Sequence, residues 1–141
     1  MDKPKSSIMA GYSETALIKK LGIKAGMKVM PINAPEDYMI ILGEDISDQL
    51  ERDIAKADLI HLFATTKDEL ERKFLQIIGS KKEELIIWVS WHKKSSGMQT
   101  DVTENIIREI VLPKGWVDIK VCAVSDVWSG LKIVKRKSGA K

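Results

Sequence analysis

The amino-acid sequence predicts an α/β fold: a mainly parallel sheet covered by helices on both faces and ending in a C-terminal antiparallel hairpin. Three observations carry this. Apolar runs of strand length alternate with stripes of helical spacing along most of the chain. Leu85 to Trp91 is apolar on both faces, as in a strand buried between two layers. Val117–Val124 and Leu131–Val134 then read as two strands with only Ser125-Asp126-Val127-Trp128-Ser129-Gly130 between them, the pattern of a hairpin. With 141 residues the chain has the length of one domain and enough surface to bury a core.

The elements follow in order. Residues 1–10, with Pro4, Ser6 and Ser7, read as a flexible arm, and 11–136 as a single domain. Ser13 is suited to cap a short helix that carries Ala16, Leu17 and Leu21 on one side and stops at Gly22. Met27 to Ile32 reads as a strand. Pro31 argues against a central position and places its effective end near Met30, because proline donates nothing to a ladder. Pro35, Glu36 and Asp37 suit the first turn of a helix running to Leu42 and stopping at Gly43. In 44–57 the spacing of Ile46, Leu50 and Ile54 suggests helix, and a short edge strand is the alternative. Leu59 to Ala64 is a strand. Thr66-Lys67-Asp68-Glu69 is a capping box for a helix with Leu70, Phe74, Ile77 and Ile78 on its apolar stripe, ending at Gly79. After the strand Leu85–Trp91, the polar loop His92–Gln99 leads to Thr100 or Asp101 as cap. The stripe Val102, Ile106, Ile107, Ile110 and Val111 follows, stopped by Pro113 and Gly115. The whole is a Rossmann-like three-layer sandwich, and the closing hairpin is the variation typical of the methyltransferase-like layout.

Composition narrows the function classes. The net charge is +3, of which Lys132, Lys135, Arg136, Lys137 and Lys141 supply five, so residues 1–131 carry −2. The basic tail, 137–141 at its extreme, reads as a solvated terminus. With no basic face and no reading motif, nucleic acid is not the expected partner. No apolar run reaches membrane length and no secretory leader stands at the start, so a cytoplasmic, bacterial-type protein is expected. Cys122 is the single cysteine and His61 and His92 the two histidines, which excludes a disulfide framework and a Cys- or His-rich metal centre.

Four segments carry a resemblance: Met9-Ala10-Gly11-Tyr12-Ser13; Ile87-Trp88-Val89-Ser90-Trp91-His92-Lys93-Lys94; Thr100-Asp101-Val102-Thr103-Glu104; and Val121-Cys122-Ala123-Val124 leading to Trp128-Ser129-Gly130-Leu131-Lys132. Together they resemble the bacterial family catalogued as domain of unknown function 3052, over residues 9–136. The resemblance implies a small Rossmann-like domain without an assigned activity, with residues 1–8 as an extension. The family usually has proline at the position of His92.

In open α/β sheets, ligands bind beyond the carboxyl ends of the strands. Three loops qualify here: Asn33-Ala34-Pro35, Thr65-Thr66, and Trp91–Thr100. A dinucleotide site or a methyltransferase would place glycines after the first strand, and none occurs there before Gly43. A methyltransferase would also carry an acid after its second strand. Glu51 and Asp53 are the candidates, their register being undetermined by sequence. There is no phosphate loop. The leading expectation is therefore a non-enzymatic binding or interaction domain for a small anion or phosphorylated metabolite, with no cofactor. Lys93, Lys94, Ser95 and Ser96 before a helix start would supply charge and hydroxyls, Trp91 a stacking face, and Asn33, Thr65 and Thr66 the neighbouring loops. The alternatives are a divergent S-adenosylmethionine-dependent methyltransferase, and a protein-partner or self-associating module using the hairpin around Trp128. His92 stands where a general acid or base could act, but without a sequence partner it reads as a surface histidine. His61 reads as a satisfied, partly buried side chain, and Cys122 as a small buried hydrophobe. Ser90 lacks a nucleophile elbow, and no spacing rule pairs Asp118 with Asp126.

Overall fold

The computed structural model describes residues 16–79 and 84–137. The expected arm, the Ser13 cap and the last residues of the basic tail lie outside them. Among the described residues, five strands form one open sheet in the order β1-β2-β3-β5-β4, where β1 is Val29–Ile32, β2 Leu59–Phe63, β3 Ile86–His92, β4 Trp116–Ala123 and β5 Trp128–Lys135. The pairs β1–β2 and β2–β3 are parallel, and β5 runs antiparallel to both β3 and β4. Four strands therefore point the same way, and β5 is inserted against them between β3 and the edge strand β4.

The helices α1 (Leu17–Leu21) and α2 (Tyr38–Leu42) cover one face. Their buried Leu17, Leu21, Tyr38 and Leu42 pack with Leu59, Phe63 and Trp88. The helices α3 (Lys67–Ile78) and α4 (Glu104–Val111) cover the other. There Leu70, Phe74 and Ile107 meet Ile60, Leu62, Ile87 and Val89. Every residue of β2 is buried, as is every residue of β3 after Ile86, which explains their unbroken apolar sequence. Trp88 and Trp91, three apart on β3, point to opposite faces and belong to opposite cores. The Trp88 indole N–H donates to the Leu21 carbonyl at 3.0 Å, satisfying one orphan acceptor at the end of α1 and pinning that helix to the sheet.

Proline tolerance explains β1. It is an outer strand, and Pro31 sits in it opposite His61; the strand continues to Ile32 rather than ending near Met30. Residues 44–57 are neither an α-helix nor a full strand. Two 3₁₀ turns, Ser47–Gln49 and Ile54–Lys56, flank an extended stretch in which Leu50 makes one parallel bridge to Val29. The Asp45 carboxylate accepts from the Ser47 amide (2.8 Å) and the Asp53 carboxylate from the Ala55 amide (3.0 Å), local bonds that compete with a continuous helix. The cap of α4 is Thr103, whose hydroxyl accepts from the Ile106 amide at 3.2 Å, not Thr100 or Asp101. The hairpin turn is shorter than the sequence suggests. The amides of Val124 and Ser125 both donate to the Trp128 carbonyl, so Trp128, Ser129 and Gly130 are strand residues paired with His92, Trp91 and Ser90. Among the described residues no helix is long and apolar enough to cross a membrane.

Candidate functional site

The carboxyl ends of β1, β2 and β3 bring Asn33, Thr65 and the His92–Lys93 corner to one end of the sheet, and β5 starts there with Trp128. Asn33 leaves β1 at φ 59, the only positive-φ residue other than glycine among those described. Asparagine tolerates that region better than most residues, so it takes the conformational part that glycine plays elsewhere. Thr66 caps α3 as the sequence predicts, its hydroxyl accepting from the Glu69 amide at 3.1 Å. The Glu69 side chain does not return to the cap residue itself. One oxygen accepts from the Thr65 amide at 3.0 Å and the other from the Asn33 side-chain amide at 3.0 Å, so one carboxylate joins the first two loops.

The third loop is tied in by two more bonds. The Thr100 hydroxyl donates to the Thr65 carbonyl, and the Asp101 carboxylate accepts from the Lys67 amide at 2.7 Å. The amides of Thr65 and Lys67, at the start of α3, thus both face carboxylates of the chain itself. An incoming anion at Thr65 or Thr66 would compete with Glu69 and Asp101 for those donors.

The Lys93–Ser96 stretch forms a 3₁₀ turn over Lys94–Ser96, closed by Gly97 at φ 78 and separated from α4 by residues 98–103. The Lys93 amide donates to the Val127 carbonyl at 2.8 Å, which holds the loop to the hairpin turn. The Ser96 hydroxyl donates to the Lys93 carbonyl at 2.7 Å and accepts from the Met98 amide at 3.1 Å, while Lys94 and Ser95 are exposed. The stacking face expected of Trp91 is absent. Its ring lies in the core under α3 and α4, because odd and even positions of β3 face opposite layers.

His92 is not a surface residue. It is 9% exposed and its ring stacks on Trp128 with centroids 4.0 Å apart. Trp128 in turn meets Phe63 edge-on at 4.9 Å, which closes the end of the core over β2 and β5. Burial lowers the pKa of His92, and its Nδ1 is buried with no hydrogen-bond partner among the described residues. Replacing His92 with phenylalanine keeps the stacking surface and removes the orphan nitrogen. That variant is expected to be as stable as the parent or more stable by about 1 kcal/mol, read from the urea midpoint at constant m-value.

His61 contrasts with it. Fully buried, it bonds the Tyr38 hydroxyl through Nδ1 (2.8 Å) and the Ser90 hydroxyl through Nε2 (2.7 Å). Burial pushes its pKa down to about 3 and the Tyr38 phenol up, so both remain neutral over the physiological range. Ser90 is thereby a structural partner of His61. Cys122, half-buried, has its pKa raised by burial, with Lys20 and Lys120 pulling the other way. Asp118 pairs with Arg108 at 2.9 Å.

Sequence reasoning missed three residues. Glu69 was legible as a capping partner but not as a link to Asn33, 36 positions away. Tyr38 gave no sign of its bond to His61. The edge strand offered as the alternative for 44–57 did not single out Leu50, whose bridge to Val29, with the Glu51 amide on the Val29 carbonyl, is a one-residue parallel strand on the outer edge of β1.

No family profile matches the chain and no curated protein matches its sequence. Solved structures do match its fold. A putative type 11 methyltransferase from Sulfolobus solfataricus superposes with a TM-score of 0.59 at 14% identity, covering 89% of this chain and 92% of that one. A protein of the NADB-Rossmann superfamily from Streptococcus agalactiae gives 0.58 at 7%, covering 92% and 72%. The M1A22 tRNA methyltransferase of B. subtilis gives 0.55 at 9%, covering 86% and 66%. The likeness is one of fold: the chain is a Rossmann-like α/β domain of the methyltransferase layout.

Proposed function

We propose that this chain is a divergent domain of the S-adenosylmethionine-dependent methyltransferase type, with its ligand seat at the carboxyl ends of β1 and β2. The observation that carries the reading is the extent of the fold match: nearly all of this chain aligns with nearly all of a putative methyltransferase. Two features of the chain fit the group. Asn33 at φ 59 supplies the left-handed turn after β1 without a glycine. Asp53 stands 20 residues beyond Asn33, the spacing at which Rossmann folds place the acid that receives ribose hydroxyls. Leu50 makes one parallel bridge to Val29, and the Glu51 amide donates to the Val29 carbonyl. Both Leu50 (φ −69, ψ 139) and Asp53 (φ −99, ψ 115) are extended.

The carboxylates of Glu69 and Asp101 at the start of α3 favour a cationic ligand there over an anionic one. S-adenosylmethionine would supply a methyl group carried on a sulfonium, which matches that sign. The chain's own part is to orient: Asn33 and Ala34 shape the first turn, the Asp53 carboxylate would accept hydrogen bonds from the ribose hydroxyls, and Thr65 lines the second loop.

Isothermal titration with S-adenosylmethionine and S-adenosylhomocysteine tests this. Saturable binding of either is expected. Asp53→Asn, which keeps an acceptor for the Ala55 amide, is expected to weaken it roughly tenfold by removing a charged acceptor. Absence of binding by both compounds at millimolar concentration overturns the reading. Binding of phosphorylated ligands instead, lost in Lys93→Ala with Lys94→Ala, would favour an anion-binding domain, for which the exposed Lys94 beside Lys93 is the supporting feature.

A further inference from the structure

We infer that Glu69 is the positioning residue of this seat, a clasp that sets the first loop against the second and holds Asn33 in its left-handed turn. The inference rests on the proposed S-adenosyl seat but is argued from the clasp's own geometry. In an ordinary capping box the glutamate serves only its own helix end. Here each oxygen has a different donor at 3.0 Å, the Thr65 amide on one and the Asn33 side-chain amide on the other. The second bond spans 36 residues and leaves the helix altogether. It also falls on the one non-glycine residue with positive φ among those described, where a free side chain would let the turn relax.

The Thr65 end of the clasp is held from the other side by the Thr100 hydroxyl, and the neighbouring Lys67 amide by Asp101. The spacing between the ends of β1 and β2 at the mouth therefore depends on one carboxylate braced against the third loop. Asn33 itself is exposed, so the clasp shapes the opening rather than the core.

The chemistry allows an isosteric exchange. In Glu69→Gln both links can survive, because the Asn33 side-chain amide can turn over and accept from the glutamine amide while the glutamine oxygen accepts from the Thr65 amide. In Asn33→Asp two carboxylates face each other. In the double variant the roles swap: the introduced glutamine donates its side-chain amide to the introduced aspartate, and its oxygen accepts from the Thr65 amide. Carboxylate number is conserved, and aspartate tolerates the left-handed region.

The four proteins are compared by titration with S-adenosylmethionine and by hydrogen exchange at the Thr65 amide. Asn33→Asp is expected to weaken binding roughly five- to tenfold and to speed Thr65 exchange by a similar factor, whereas Glu69→Gln stays close to the parent. The double variant should recover most of both, a non-additivity that only a direct pair produces. A double variant as impaired as Asn33→Asp alone, or an Asn33→Asp protein indistinguishable from the parent in both measurements, overturns the clasp. If the parent fails to bind S-adenosyl compounds, the proposed function falls, and the exchange cycle at Thr65 alone still decides whether Glu69 fixes the mouth.

Discussion

Lowering the pH from 6.5 to 5.0 is expected to destabilise this protein by about 1.5–2 kcal/mol through His61 alone, a fall in Tm of about 5 °C or more. In the unfolded chain His61 has its ordinary value near 6.5, and in the folded protein burial lowers it to about 3. Between those values the unfolded state binds a proton that the folded state refuses. Stability is therefore fully present above pH 6.5 and is lost as pH falls through the window, at up to about 1.4 kcal/mol per unit. The physical cause is burial: the ring is sealed from water, and the two groups bonded to it, Tyr38 and Ser90, are neutral hydroxyls that bring no countercharge. His92, whose pKa burial also lowers, adds to the fall in the same direction.

The sequence has two histidines, so the protein carrying His61→Gln and His92→Phe has none. Its Tm should be nearly flat over the same range, since glutamine retains a donor and an acceptor for the two hydroxyls. Thermal melts of both proteins at pH 6.5, 5.75 and 5.0 make the measurement. A parent that melts at one temperature throughout would show that His61 is not held neutral; an equal fall in the histidine-free variant would assign the effect to carboxylates.

Gly130→Ala is expected to cost about 1–3 kcal/mol, the range for overpacking a filled core. The position lies in β5 opposite Ser90, and a Cβ there would stand 2.9 Å from Val124 Cγ2, 3.3 Å from Trp88 Cε3 and 3.5 Å from Ser90 Oγ. None of these neighbours yields easily. Valine is stiff about χ1, Trp88 is held by its bond to the Leu21 carbonyl, and Ser90 by its bond to His61. Gly79→Ala is the matched control. Gly79 has a right-handed helical backbone (φ −67) and its nearest neighbours are at 3.5 Å, so alanine is expected to be neutral or slightly stabilising. Urea unfolding of both variants decides; a Gly130→Ala midpoint as benign as that of Gly79→Ala would mean the interior gives way where the packing says it does not.

What the sequence determined follows from periodicity and local chemistry. The continuous apolar runs of β2 and β3 declared buried strands, because a strand covered on both faces has no polar side to display. Thr66 with Glu69, and Gly22 and Gly43 at the helix ends, are punctuation whose physics is complete within a few residues, and each stands where the sequence placed it. The C-terminal hairpin was legible for the same reason. So was the alternation that makes an α/β sheet, and with it the end of the sheet where a site would lie.

Tertiary structure alone decided what depends on residues far apart in the chain. Residues 44–57 could not be resolved from spacing because their form is set by a single bridge to Val29 and by aspartates that bond their own backbone. His92 read as exposed because its loop is polar. It is buried because β5 enters antiparallel beside it and lays Trp128 on its ring. Glu69 joins Asn33 because the neighbouring parallel strands β1 and β2 bring their ends together, and Tyr38 joins Ser90 through His61 because α2 packs on the sheet face that β2 and β3 present to it, whatever the length of chain between them. Local patterns record the hydrogen bonds and apolar faces that a segment needs. Which partner answers each need is fixed by the order of strands in the sheet.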